Sequence, residues 1–206
     1  MHILVVAATE PEIPRLGTGP HGTHHVEVLI TGAGMVATAA HCARALARTH
    51  YDVAYNFGVC GAFDRSLGLG TVVHVITDRL SELGAEDGTR FISLSELGLA
   101  PEDDGLVNEA PPTNPALAAL PAVRGITVNT VHGHEGSIAA IVDRWSPQVE
   151  SMEGAAFAYA CRISGVPYAQ VRAVSNIVER RNRSAWRLDL AVRNLNEAAV
   201  RILDHS

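Results

Sequence analysis

The sequence predicts an α/β fold, and three observations carry that expectation. Short apolar runs rich in β-branched residues alternate with longer helix-like stretches, the rhythm of strands and helices packed in layers. The chain has 206 residues, 47% of them hydrophobic and 18% charged, proportions that exclude disorder and supply a sizeable core. No apolar run approaches the roughly 18 residues of a membrane span, so the apolar segments must bury against one another. The length sets the expectation of a single domain over residues 1–206.

Taken in order, Ile3–Ala8, Val26–Thr31, Val53–Phe57, Thr71–Thr77, Gly125–Val131 and Tyr168–Val174 read as strands. Met35 to Arg48 reads as a helix with Ala39, Ala40, Ala43, Leu46 and Ala47 on one face. Ala155, Ala156, Tyr159, Ala160 and Ile163 form a second stripe, closed by Gly165 as a C-cap. From about Ala185 to Leu203, three- and four-residue steps join Leu188, Val192, Leu195, Ala199 and Ile202 into a face that should lie on the sheet. Leu83 to Leu120, punctuated by Pro111-Pro112 and Pro115, reads as a long connection, with Asp103-Asp104 as a solvated turn.

Composition removes several function classes. All 16 basic residues are Arg, which excludes pyridoxal-phosphate enzymes, Schiff-base aldolases and Lys-dependent P-loop NTPases. A net charge of −6 argues against nucleic acid as a partner. Cys42, Cys60 and Cys161 are scattered and odd in number, which fits neither a disulfide framework nor a zinc site. They suit a reducing compartment, and the apolar start runs into Thr9-Glu10-Pro11-Glu12, unlike a secretory signal. The expectation is a cytoplasmic protein with no membrane partner.

Gly32-Ala33-Gly34-Met35-Val36-Ala37 satisfies the dinucleotide pattern G-x-G-x-x-A. The next strand ends Tyr55-Asn56-Phe57-Gly58 without the ribose-binding acid, so a tight strand-to-helix turn is the better reading. His132-Gly133-His134 lacks a third ligand at metal spacing and reads as structural or solvated, and His24-His25 as a loop pair. Four other places put polar residues just beyond a strand or at a helix start, where α/β sheets bind ligands. They are Glu10 and Glu12, the glycine turn Gly58-Val59-Cys60-Gly61, the run Glu150-Ser151-Met152-Glu153-Gly154, and Ser175-Asn176.

These segments, with Ala7-Ala8-Thr9 and Val171-Arg172-Ala173-Val174, occur in the order seen in the purine nucleoside phosphorylase and nucleosidase superfamily, which the chain resembles over nearly its whole length. Ser151-Met152-Glu153-Gly154-Ala155-Ala156, followed by Val178 to Trp186, looks most like the futalosine hydrolase family. The resemblance implies a three-layer αβα sandwich with a central mixed sheet, cleavage of a purine N-glycosidic bond, and a homo-oligomer. It implies a nucleoside as the small-molecule partner, with neither metal nor organic cofactor. By it, Glu12 is the water-activating base, with Glu10 second to it, Glu153 accepts the ribose hydroxyls, and Met152 lies against the sugar. Gly58, Cys60 and Ser175 join them as substrate-binding residues.

Related methylthioadenosine nucleosidases carry Asp where this chain has Asn176, and an amide suits a 6-oxopurine because its NH2 donates to the 6-oxo oxygen. Arg181 or Arg183 could hold the benzoate of futalosine, and Trp186 could cover that ring. The rivals are a methylthioadenosine or adenosylhomocysteine nucleosidase, disfavoured by Asn176, and a phosphorylase, disfavoured by the acidic first loop. A non-enzymatic Rossmann-like module is a third, separable by titration with NAD against hypoxanthine.

Overall fold

The structure, a computed structural model, describes residues 1–100 and 105–206, so Asp103-Asp104 lies outside the described residues. In chain order the strands are β1 (His2–Ala7), β2 (Gly19–His21), β3 (His24–Ile30), β4 (Val53–Ala62), β5 (Val72–Asp78), β6 (Gly84–Asp87), β7 (Arg90–Ser93), β8 (Leu106–Val107), β9 (Ala122–Thr127), β10 (Val149–Ser151) and β11 (Tyr168–Ile177). The α-helices are α1 (Met35–Arg48), α2 (Pro115–Ala118), α3 (Glu135–Trp145), α4 (Gly154–Ser164) and α5 (Leu188–Asp204).

The central sheet is mixed and runs β10-β9-β5-β11-β4-β1-β3-β2, with β8 on β5. β10 also pairs antiparallel with the far end of β4, so this half of the sheet curls into a closed ring. Alternation along the strands builds the layers. Ile3, Val5 and Ala7 share one core with Ala191, Leu195, Ala199 and Ile202 of α5, while Leu4 and Val6 share another with Cys42 of α1 and Phe157, Ala158 and Cys161 of α4. Each Val, Leu, Ile or Phe buried in this way stabilises the fold by about 1.5–3 kcal/mol relative to exposure. The result is the expected three-layer αβα arrangement with a mixed sheet.

Several expectations need correction. β4 runs through to Ala62, so Gly58-Val59-Cys60-Gly61 is strand and not a turn, laddered to β11 from Arg172 to Asn176. Its glycines answer to crowding: a Cβ on Gly58 would stand 3.1 Å from Glu12 Oε1, and one on Gly61 2.9 Å from Val178. The fifth strand begins earlier, at Ala122, and ends at Thr127 because its neighbour β10 offers only three residues. On α1 the core-facing residues are Thr38 and Cys42, with Ala40 and Ala47 exposed, and on α4 Tyr159 and Ile163 are 56% and 66% exposed. Those two helices pack on each other, which rotates their buried faces away from the expected stripes. Within the presumed connection, β6 and β7 form a hairpin across Gly88, whose φ of +62° suits glycine, and α2 packs on α5.

Candidate active site

The carboxyl ends of β1, β4 and β11, the start of α4 and the first turn of α5 enclose a cavity of about 350 Å³. It gathers Glu12, Cys60, Met152, Glu153, Ser175, Asn176 and Trp186, with Leu188 and Val192 as an apolar wall.

Glu12 closes a single 3-10 turn after β1, where Pro11 fixes the turn's entry. Its Oε2 accepts the backbone N–H of Thr9 at 2.9 Å and the Thr9 hydroxyl at 3.1 Å, and its Oε1 accepts the Val59 N–H at 3.1 Å. From α5, the buried Asn196 amide donates to the Glu12 carbonyl at 2.9 Å and ties the turn to the helix. Glu10 is exposed and lies outside this cavity, along the outer groove with Pro14 and Leu16.

Glu153 caps α4. Its Oε1 accepts the Gly34 N–H at 2.9 Å and its Oε2 the Met152 N–H at 3.2 Å. Gly34 has φ +96°, a conformation that costs a side-chain-bearing residue strain, so the G-x-G pattern serves to aim an amide at this carboxylate. Beneath the helix start, Gly154 leaves no room for a Cβ, which would come within 2.2 Å of both Asp78 Oδ2 and Gln170 Oε1. Desolvation pushes the Asp78 carboxyl up to about 6, against the Thr127 hydroxyl bond and nearby Arg172, which pull it down.

Asn176 follows a bulge: Val174 pairs with Cys60 and Asn176 with Gly61, so Ser175 is the unpaired extra residue. The Asn176 Nδ2 donates to the Ile177 carbonyl at 3.1 Å and its Oδ1 accepts the Ser175 hydroxyl at 2.8 Å. A carbonyl can only accept, so this network assigns the NH2 to the Ile177 side. Burial pushes the Cys60 thiol up to about 12 despite the nearby Arg172.

A smaller cavity of about 150 Å³ adjoins the first, sharing Gly61, Val131, Glu150, Asn176 and Trp186 and adding His132 and Arg181. Arg181 stands over the Trp186 ring at 5.0 Å and Arg183 at 5.8 Å. Arg183 sits on the exposed 3-10 turn Arg183–Ala185, and Gly58 lies behind Glu12 instead of lining the main cavity. Sequence reasoning passed over Arg172, which is 1% exposed, donates to the Asn56 carbonyl and to its side-chain oxygen, and stands with Glu12 beside Gly58. It read His132 as structural or solvated and named Glu150 only as part of a candidate run, whereas the two bond to each other at 2.6 Å. The signal for that pair is a buried acid inside a strand too short to show its period. Among the described residues no group of three or more His, Cys, Asp or Glu is placed to hold a metal ion.

Fold and site define a class, and sequence comparison agrees: the family described as Phosphorylase superfamily matches residues 7–205, and the chain belongs to it. Its particular place is among the futalosine hydrolases. The enzyme of that name from Acidothermus cellulolyticus is 33% identical over 216 residues, covering 95% of this chain and 87% of the relative. That of Thermus thermophilus is 34% identical over 196 residues, covering 90% and 84%. Solved structures share the fold. A futalosine hydrolase mutant of Helicobacter pylori gives a TM-score of 0.81 at 15% identity, covering 100% of this chain and 99% of that one. A methylthioadenosine/adenosylhomocysteine nucleosidase of Colwellia psychrerythraea in complex with adenine gives 0.77 at 21%, covering 100% and 95%.

Proposed function

We propose that the protein hydrolyses the N-glycosidic bond of futalosine, releasing hypoxanthine and dehypoxanthinyl futalosine on a route to menaquinone. It is an N-glycosyl hydrolase. The observation that most supports a 6-oxopurine substrate is the fixed amide of Asn176, which keeps one NH2 hydrogen for the ligand and so suits the 6-oxo oxygen of hypoxanthine. Adenine would bring a second donor to the same place, which weighs against the methylthioadenosine reading.

In this reading Glu12 takes a proton from water as its oxygen bonds to the anomeric carbon. Glu153 accepts the two ribose hydroxyls through lone pairs left over from Gly34 and Met152, and its negative charge stabilises the electron-poor sugar. Met152 and the wall of Leu188 and Val192 cover the apolar face of the nucleoside. Arg181, on the rim beside Trp186, is better placed than Arg183 to meet a benzoate. Phosphate has no evident seat in a first loop that offers Glu12 to the cavity, which weighs against phosphorolysis.

The rest of the reading is a homo-oligomer of one-domain subunits, residues 1–206, in the cytoplasm. Exposed apolar side chains on the paired helices α1 and α4, Val36 at 78%, Tyr159 and Ile163, supply a surface for a second copy. Three free, buried thiols suit a reducing compartment, and no described helix is long and apolar enough to cross a membrane. Incubation with futalosine, with and without phosphate, tests the reaction. Hypoxanthine and the free sugar should form at the same rate in both, and a sugar 1-phosphate product would overturn it.

A further inference from the structure

The base end of the cavity holds a buried couple that the roles above leave unused. Glu150, 3% exposed, accepts the His132 backbone N–H at 3.0 Å on Oε1 and meets the ring's Nδ1 at 2.6 Å with Oε2. An ionised carboxylate can only accept, so Nδ1 carries a proton and Nε2 is the ring atom left for other work. The Phe63 ring packs edgewise on the imidazole at 5.9 Å, and the His132 side chain is 11% exposed. The other charged groups facing the couple are Glu179 and Arg181 on the segment after β11, which line the same small cavity. Glu179 is tied to Arg65 at 3.2 Å.

Breaking a purine glycosidic bond leaves an electron pair on the base, and a proton delivered to the base makes it a far better leaving group. The amide of Asn176 cannot act as an acid. Glu12 and Glu153 sit at the sugar end with backbone amides on their oxygens. Burial holds the Cys60 thiol too weak an acid for the task. What remains beside Asn176 is an imidazole braced by a carboxylate. Resting on the hydrolase reading above, we propose that His132, oriented by Glu150, is the proton donor to the departing purine.

The step balances. The bond between the anomeric carbon and purine N9 breaks and its electron pair stays on the base. Imidazolium Nε2–H passes its proton to N7, and water bonds to the anomeric carbon while Glu12 takes its proton. Hypoxanthine leaves neutral, His132 ends neutral and Glu12 ends protonated, and exchange with solvent restores both.

The test compares two leaving groups on His132→Gln and Glu150→Gln. Futalosine needs a proton to leave, whereas the 4-nitrophenyl riboside does not, and the ratio of kcat/KM values on the two is independent of how much protein folds. His132→Gln should lower kcat/KM for futalosine by about 100-fold or more and for the nitrophenyl riboside by less than about threefold, with Glu150→Gln intermediate. The alkaline limb of the wild-type pH profile for futalosine should vanish in His132→Gln. Equal losses on the two substrates, or an alkaline limb that persists in the variant, would overturn the proposal. A wild-type enzyme that cleaves no purine nucleoside would instead sink the hydrolase reading itself.

Discussion

The two ends of the cavity hold their polar groups by different means. At the sugar end Glu12 and Glu153 are fixed by backbone amides, those of Thr9 and Val59 for one and of Gly34 and Met152 for the other. At the base end Asn176 leans on the Ser175 hydroxyl and the Ile177 carbonyl, and Glu150 divides its two oxygens between the backbone N–H and the ring of His132. Backbone donors stay in place when side chains change, so the sugar end is suited to what every nucleoside shares. Side-chain donors can be exchanged one at a time, and that is where a base preference can be rewritten.

Glu12→Gln should break the sugar end most severely. We expect kcat on futalosine to fall on the order of 10³-fold with little change in KM, because the amide keeps the shape and loses the base. Unchanged kcat would move the base to another group. At the base end, Asn176→Asp should shift the ratio of kcat/KM for futalosine over aminodeoxyfutalosine toward the adenine nucleoside by about 100-fold, since a mismatched donor leaves buried polar groups unpaired. An unmoved ratio would show that this position does not read the base.

Gly154→Ala asks whether backbone placement of Glu153 depends on the packing beneath it. The new methyl would collide with Asp78 and Gln170, so we expect a loss of about 1–3 kcal/mol in chemical denaturation and a raised KM. Asp78 itself gives a smaller, pH-dependent effect. Its carboxyl titrates near 6 in the fold against an ordinary 3.8, so between those values the unfolded chain has shed a proton that the fold keeps. Stability contributed by this group therefore falls as pH rises from about 4 to about 6 and stays lower above. Asp78→Asn should remove that slope and raise Tm at pH 8, where its NH2 can also serve Gln170 Oε1, which has no partner. A Tm difference that is flat with pH would contradict this. The smallest effect belongs to the rim: Arg181→Ala should raise KM about tenfold for futalosine and leave inosine unaffected, because that contact is partly exposed. Equal changes on both would make the segment structural.

What the sequence made legible follows the same division. Helix α1 ran from Met35 to Arg48 as expected and Gly165 caps α4 at φ +66°, because periodicity and capping are local. Glu12 and Glu153 stood out as polar residues just beyond β1 and at the start of α4, with roles implied only by the family resemblance, and both line the main cavity. The pair His132 and Glu150 joins residues 18 apart through a three-residue strand, and no local pattern announces it. Gly58 was misread because a glycine needed for close approach to Glu12 looks like a glycine needed for a turn. The stripes on α1 and α4 held only in part, with Ala155, Ala156 and Ala160 buried but Tyr159 and Ile163 exposed, because helix-on-helix packing decides which face is buried.

The extra residue in β11 imposes a grammar on what mutation can do here. Ser175 takes no rung of the ladder to β4, yet its hydroxyl reaches the Cys60 carbonyl at 3.1 Å and its own carbonyl receives the Arg187 N–H at 2.9 Å. Asn176 and Ile177, the last two residues of β11, owe their facing to that one insertion. Exchanging a letter at 176 rewrites one contact, whereas deleting the letter at 175 would shift the reading frame of the strand and detach the segment that leads into α5. The length of this strand is therefore far harder to change than the residue at 176.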